Sequence, residues 1–122
     1  MALTIANECR KAALDGITAL LSGGSIRFDT SADAELATLP ISSVGAATTA
    51  SPSVAVLSLT ADSSVTAGTI AKFLMRTSGA ATRINGSVGT SGTDLVVTDN
   101  VIPGGATSVS CPGGISVSLQ LS

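Results

Sequence analysis

The sequence predicts a mainly β protein: an antiparallel β-sandwich or barrel, jelly-roll or immunoglobulin-like, with one N-terminal α-helix. From residue 24 onward, short apolar stretches are separated by clusters of Gly, Pro, Ser and Asn, which is typical of such folds. The last stretch, from Ile115 to Ser122, alternates Ile, Val and Leu with Ser and Gln, as a half-buried strand does. Helical spacing of apolar residues occurs only before Gly23. We therefore expect one domain over residues 1–122, with the helix at about 5–22 and the β-sandwich at 24–122.

The predicted helix is amphipathic, and its apolar face is expected to pack on the sheet. That face is formed by Ala6, Cys9, Ala13, Ile17 and Leu20, with Leu14 and Leu21 beside them. The opposite face carries the polar residues Asn7, Glu8, Lys11, Asp15, Thr18 and Ser22. Gly23 and Gly24 are expected to end the helix, because glycine readily takes the left-handed conformation after a last turn. Gly16 lowers helix stability by about 1 kcal/mol relative to Ala, so the helix is expected to depend on packing.

Eight strands are predicted from the apolar stretches after the helix. They lie at 25–29, 35–41, 54–60, 69–77, 81–89, 94–98, 107–111 and 115–122. The segments 99–106 and 112–114 are predicted to be turns. The second strand is expected to stop near Pro40, in an edge position. The third is more uniformly apolar, which favours cover on both faces. A turn at Ser78-Gly79 is preferred to one at Asn85-Gly86, because it leaves two strands of matched length.

The composition predicts a core of small side chains and a narrow margin of stability. Phe28 and Phe73 are the only aromatic residues, so Val, Ile, Leu and Ala must fill the core. A buried Val, Leu or Ile contributes roughly 1.5–3 kcal/mol, whereas ordering the backbone costs roughly 1–2 kcal/mol per residue. Burial against a partner would help such a chain, which favours an oligomer or an assembly subunit.

Charge and hydropathy argue against nucleic-acid and membrane partners. Eight acidic and six basic residues give a net charge of −2, without the basic stripe or the aromatic platforms that nucleic-acid binding needs. No apolar run approaches the ~20 residues of a membrane-spanning helix. Charged residues such as Glu8 and Lys11 stand where a signal peptide has an apolar stretch. The sequence therefore predicts synthesis and retention in a cytoplasm.

The absence of histidine excludes the common nucleophilic triads and an ordinary zinc site. Cys9 and Cys111 are predicted to be free, small, buried apolar residues, and a disulfide formed after release from the cell is the alternative. No glycine stretch continues into the Gly-Lys-Ser/Thr of a phosphate loop. We predict a protein that is not an enzyme and takes no cofactor and no metal.

Two groups of acidic residues have catalytic or metal-binding alternatives. Asp29, Asp33 and Glu35 lie close together in the chain and could bind calcium, but they lack the Asp-x-Asp-x-Asp-Gly loop, which favours a solvated turn. Asp94 and Asp99 flank one strand and could form a glycosidase pair, although no aromatic residue lies near them to hold a sugar.

Four basic residues, Arg27, Lys72, Arg76 and Arg83, are predicted to share a polar sheet face. Most residues of this kind are simply solvated. The alternative is that they meet an acidic surface of a partner.

The order of the segments resembles a recurrent family of small structural proteins of tailed bacteriophages. In that family a helix ends in a small-residue turn before a Leu/Ile-Arg-Ile/Phe strand, and a Gly-Thr-Val-Gly-Thr-Ser-Gly-Ala-Asp-Leu-like stretch follows a Thr/Ala-rich middle. An Ile-x-x-Gly-x-x-Val-x-Val segment comes last. The corresponding places here are Ser25 to Phe28, Gly86 to Leu95 and Ile102 to Val109. The two cysteines, Gly16 and a shorter segment after Phe28 depart from the pattern.

The resemblance implies a capsid decoration, or cement, protein that binds and stabilises the outer surface of the assembled capsid. Its partners are then the major capsid protein and further copies of itself, as a dimer or trimer, and its location is the virion surface after synthesis in the host cytoplasm. Leu3 and Ile5, ahead of the helix, are the predicted partner contacts. A neck, tail or spike component is the first alternative, and an adhesive or carbohydrate-binding β module is the second.

Overall fold

The computed structural model describes residues 5–119, which form one helix and nine strands. These are α1 (Asn7–Ala19), β1 (Ser25–Asp29), β2 (Glu35–Val44), β3 (Ser53–Leu59), β4 (Gly68–Thr69), β5 (Lys72–Arg76), β6 (Thr82–Gly89), β7 (Leu95–Val96), β8 (Val101–Ile102) and β9 (Ile115–Leu119). Within this range, seven strands form a curled half-barrel in the order β7-β6-β5-β1-β2-β3-β9, and β4 pairs with β8. The prediction of a mainly β fold with one N-terminal helix is confirmed.

The inner face of the curled sheet carries the main core. Alternate residues on neighbouring strands come into line, so that Ala37, Phe28, Phe73 and Gly86 lie side by side across β2, β1, β5 and β6. A β-carbon on Gly86 would lie 2.8 Å from the Phe73 ring. The absence of a side chain at Gly86 therefore makes room for this ring. The adjacent row is aliphatic, with Ile26 and its neighbours fully or nearly fully buried.

The prediction that the second strand stops near Pro40, in an edge position of the sheet, is wrong. Strand β2 runs on to Val44 between β1 and β3, in the middle of the sheet. The Pro40 carbonyl accepts a hydrogen bond from Thr60, which lies one residue beyond the end of β3. In an antiparallel pair, the N–H and carbonyl of one residue point to the same neighbouring strand. The nitrogen of Pro40 therefore points toward the chain just beyond β3, where the ladder has ended, so the missing N–H breaks no hydrogen bond of that ladder.

Strand β3 is covered on one face only, so the prediction of cover on both faces is wrong. Ser53, Ala55 and Leu57 are buried, whereas Val56 is 41% exposed on the other face. The continuous apolar run therefore reflects an outward-facing valine and not a doubly covered strand.

The last third of the chain departs most from prediction. β7 pairs with β6 in parallel over only two residue pairs, whereas an all-antiparallel sheet was expected. The segment 99–106, predicted to be a turn, contains β8. The segment 107–111, predicted to be a strand, makes only an isolated bridge between Val109 and Asp62. The Ser78-Gly79 turn and the alternating burial of β9 are confirmed.

Helix α1 lies on β3 and β9, and it is rotated relative to the prediction. Its buried residues are Arg10, Leu14 and Thr18, followed by Leu21 just after the helix. Leu14 packs with Ala55 on the inner face of β3, and the buried Thr18 hydroxyl donates to the Leu14 carbonyl at 3.0 Å. The helix is shorter than 5–22, and Gly23 follows it with a left-handed φ of 74°, as predicted.

Candidate partner-binding surface

The rotation of α1 leaves an exposed stripe, which we call the apolar flank. It consists of Ala6, Cys9, Ala13, Ile17 and Leu20, of which Ala13 is half-buried and the others are exposed. Leu20 is 55% exposed and Ile17 is 36% exposed, although both were predicted to pack on the sheet, and that prediction is wrong. Cys9 is also exposed, which overturns its prediction as a buried residue. Ile17 and Leu20 each keep apolar surface in contact with water. A partner that covers this surface gains favourable free energy.

The predicted partner contacts lie just ahead of this flank. Ile5 is half-buried and precedes Ala6, the residue that caps α1. Leu3 lies outside the described residues. The chain therefore leads directly from Ile5 into the apolar flank, while the predicted contacts themselves stay predictions.

The opposite side of α1 is tied to the loop between β2 and β3. Asp15 Oδ2 lies 2.6 Å from Lys11 Nζ, and Asp15 Oδ1 accepts the backbone N–H of Ala47 at 2.8 Å. The hydrogen bond from Lys11, followed by that from Ala47, lowers the pKa of Asp15 below its ordinary value of 3.8. Because Asp15 and Ala13 project from opposite sides of the helix, this anchor turns the apolar flank away from the loop.

The Asp15 anchor predicts a pH-dependent effect of Asp15→Asn. A carboxylate with a lowered pKa stabilises the fold above its ordinary pKa of 3.8, and this stabilisation is lost as the pH falls through the lower folded value. We expect Asp15→Asn to melt below the wild type at pH 7, and the difference to close as the pH falls below about 4. Thermal melts monitored by circular dichroism between pH 2 and pH 7 measure it. A difference that stays constant with pH would contradict the assignment.

The acidic residues considered for calcium are engaged by basic side chains. Arg27 Nε lies 2.6 Å from Asp29 Oδ1 and 3.9 Å from Glu35 Oε2, and Lys72 Nζ lies 2.6 Å from Asp33 Oδ1. The hydrogen bond to Asp29 raises the pKa of Arg27. Residues 5–119 contain no group of three potential metal ligands. The network is a set of ion pairs in which Asp29 is buried beside Arg27, while Asp33 is exposed in the turn after β1.

The acidic residues considered as a glycosidase pair stabilise turns. Asp94 Oδ2 accepts the Ser87 backbone N–H at 2.9 Å and the Ser87 hydroxyl at 3.1 Å, and these bonds lower the pKa of Asp94. A glycosidase general acid requires a raised pKa, so this environment is opposite to the one needed. Asp99 Oδ1 accepts the Val101 N–H at 3.0 Å.

Depressions on the described surface include two grooves and a cleft. A groove of about 480 Å³ runs along β5 and β6 beside Lys72 and Leu74. An apolar groove of about 380 Å³ lies between Phe28 and the half-buried Cys111. A cleft of about 310 Å³ lies beside Arg76.

The basic residues that were predicted to share a face divide between two settings. The strand register places Arg27, Lys72 and Arg76 at alternate positions of β1 and β5, on the outer face of the sheet. Arg83 is exposed in β6, next to the irregularity in its pairing with β5.

No protein family, curated protein sequence or solved structure matches this chain. Among the residues that the structure describes, no helix is long and apolar enough to cross a membrane.

Proposed function

We propose that this chain is a non-enzymatic structural protein of a phage virion, a decoration protein that binds the outer surface of the assembled capsid. The observation that carries the proposal is the apolar flank, a helix side left open to solvent with Leu20 55% exposed. The order of the sequence segments resembles that of small tailed-phage structural proteins. The major capsid protein is the proposed main partner, with further copies of the chain forming a dimer or trimer.

The proposed mechanism is reinforcement by binding. A protein that binds only the assembled shell stabilises it by mass action, because disassembly must first release the bound copies. The flank is small, since a 13-residue helix is only about 20 Å long and stable interfaces bury about 800 Å² per partner. Each contact is therefore weak alone, and linked copies on a repeated lattice bind firmly through multivalency.

The copy number of the chain in purified virions tests the proposal. Quantitative mass spectrometry against the major capsid protein is expected to give a ratio near one, or a simple fraction such as one copy per hexamer. A handful of copies per particle would contradict decoration and indicate a neck, tail or spike component. Complete absence would contradict a virion role and leave an adhesive or carbohydrate-binding module.

Substitution of the apolar flank separates binding from folding. We expect Ile17→Ser combined with Leu20→Ser to weaken co-sedimentation with assembled capsids at least tenfold, because each loses most of its contribution to partner burial. The free energy of unfolding is expected to fall by at most about 1 kcal/mol, since both side chains are already exposed.

The matched control is Glu8→Gln, which changes an exposed residue on the polar side of the same helix. Its co-sedimentation is expected to equal that of the wild type. Unchanged binding by the Ile17/Leu20 variant, measured beside this control, would exclude the apolar flank as the docking surface.

A further inference from the structure

Strand β9 forms one edge of the seven-stranded sheet, and within residues 5–119 no strand lies on its outer side. The strand pairs with β3 without interruption from Ile115 to Leu119. The opposite edge is β7, which is only two residues long. An edge strand presents N–H and carbonyl groups that a further strand can bind. Of the two edges, β9 is therefore the one long enough to receive another strand.

The hydrogen bonds of β3 show which backbone groups of β9 point outward. The Val56 carbonyl accepts a hydrogen bond at 2.8 Å from the loop after β2, so the backbone groups of Val56 point to the β2 side. Successive residues of a strand point to opposite neighbours, so Ala55 bonds on the β9 side, where Val117 lies opposite it. The N–H and carbonyl groups of Ser116 and Ser118, on either side of Val117, therefore point away from β3.

This edge is open to solvent and lacks the features that block strand pairing. Ser116 and Ser118 are exposed, and no backbone hydrogen bond from a turn or loop of the described chain reaches either residue. The strand contains no proline and no charged residue, and its pairing with β3 has no bulge. Proline, charge and bulges are the usual means by which edges are kept from pairing. The edge of β9 is thus free to bind a strand from outside the described fold.

We propose that β9 binds β9 of a second copy of this chain, antiparallel and about a two-fold axis at Val117. In this register Ser116 of one copy lies opposite Ser118 of the other. Each serine then donates its outward N–H to the other and accepts a hydrogen bond at its carbonyl, as opposite residues of an antiparallel ladder do. The two sheets join into one continuous sheet, and both edges are covered at once.

The composition of the edge favours a second copy over another occupant. Along the inner face, Ile115 is buried, whereas Val117 and Leu119 are only half-buried at the edge. The two-fold register sets Val117 opposite its own equivalent and Ile115 opposite Leu119, so apolar side chains continue the inner face across the contact. A two-fold contact brings like residues together, which charged strands resist, and neither β3 nor β9 contains a charged residue.

The contact is small, so the dimer is expected to be weak. Five residues of strand extend over about 17 Å, which is a small part of a standard interface of about 800 Å² per partner. The pairing gives the self-association in the proposed function a surface and a symmetry. It does not rest on a virion role, because every feature that supports it lies in the chain itself.

Sedimentation equilibrium of the full-length protein between about 10 µM and about 1 mM tests the pairing. The wild type is expected to show a reversible equilibrium between monomer and dimer. The variant that combines Ile17→Ser with Leu20→Ser is expected to dimerise as the wild type does, because the apolar flank is not part of the β9 edge. A protein that stays monomeric at the highest concentration, or that forms a trimer, overturns the proposal. Loss of the dimer in the flank variant also overturns it and assigns self-association to α1.

Two charge variants test the register. Ser116→Lys combined with Ser118→Lys sets lysines opposite each other across the axis, and the Kd of the dimer is expected to rise about tenfold or more. Ser116→Lys combined with Ser118→Glu is the matched control, because it sets each lysine opposite a glutamate, and its Kd is expected to be no higher than that of the wild type. Equal Kd values for the two variants overturn the pairing.

A third variant keeps the test decisive if either charge variant fails to fold, as judged by circular dichroism. Ser118→Pro removes an N–H that points away from β3, so it leaves the ladder with β3 intact and is expected to abolish the dimer. A folded Ser118→Pro variant that dimerises with the affinity of the wild type overturns the proposal.

Discussion

Gly24→Ala is expected to destabilise the fold by about 3 kcal/mol or more. The added β-carbon would collide with the backbone carbonyl of Arg76, its nearest neighbour. Relief by movement of Gly24 is blocked, because its N–H donates to Leu21 at 2.9 Å and its carbonyl accepts from Ile41 at 2.9 Å. The collision therefore involves two backbone segments that are both held in place.

Urea denaturation followed by circular dichroism measures this effect. Gly104→Ala is the matched control, because a β-carbon there meets nothing within 4 Å and the glycine is not in the left-handed region. Its free energy of unfolding is expected to stay within about 0.5 kcal/mol of the wild type. Similar stabilities for the two variants would show that β1 and β5 do not approach each other as described.

Leu14→Ala is expected to lower the free energy of unfolding by about 2–4 kcal/mol, whereas Leu20→Ala changes it by no more than about 0.5 kcal/mol. Leu14 is fully buried against Ala47 and Ala55, so its truncation leaves a cavity between α1 and the sheet. Leu20 caps the C-terminal end of the helix and is 55% exposed, so its truncation costs little stability. Both variants change leucine to alanine, and only burial differs.

The comparison also decides which side of the helix faces the core. Packing by the side that sequence periodicity favours would reverse the order, with Leu20→Ala the more destabilising variant. Chemical denaturation of the two variants in parallel gives the answer. The same result bears on function, because a buried Leu20 would leave no apolar flank for a capsid or any other partner.

The candidate site was only partly visible in the sequence. Two lines of residues run next to each other on α1, one through Ala13 and Ile17 and one through Leu14 and Thr18. Counting apolar residues favours the first line, because Thr18 is polar and Arg10 is charged. The second line is buried because the Thr18 hydroxyl is satisfied by the Leu14 carbonyl and because Asp15 holds Ala47, which is 32 residues away. A local pattern carries no information about such a distant contact.

The ion pairs around Arg27 and Lys72 could not be predicted for a related reason. The sequence placed Arg27 and Lys72 on a polar face with other basic residues, and the strand register places them on one face. It could not assign Asp29 to Arg27 and Asp33 to Lys72. That assignment depends on which turn approaches which strand, and turns from different parts of the chain meet only in the folded protein.

The sequence by itself determined the class of the fold, the N-terminal helix and the strands whose alternation is strong, such as β1, β5 and β9. It did so because side-chain periodicity and turn residues act within a few positions of the chain. Only the tertiary structure decided the rotation of α1, the central place of the strand containing Pro40, and the parallel pairing of β7. Each of these depends on contacts between segments far apart in sequence, whose combined free energy overrides the local preference.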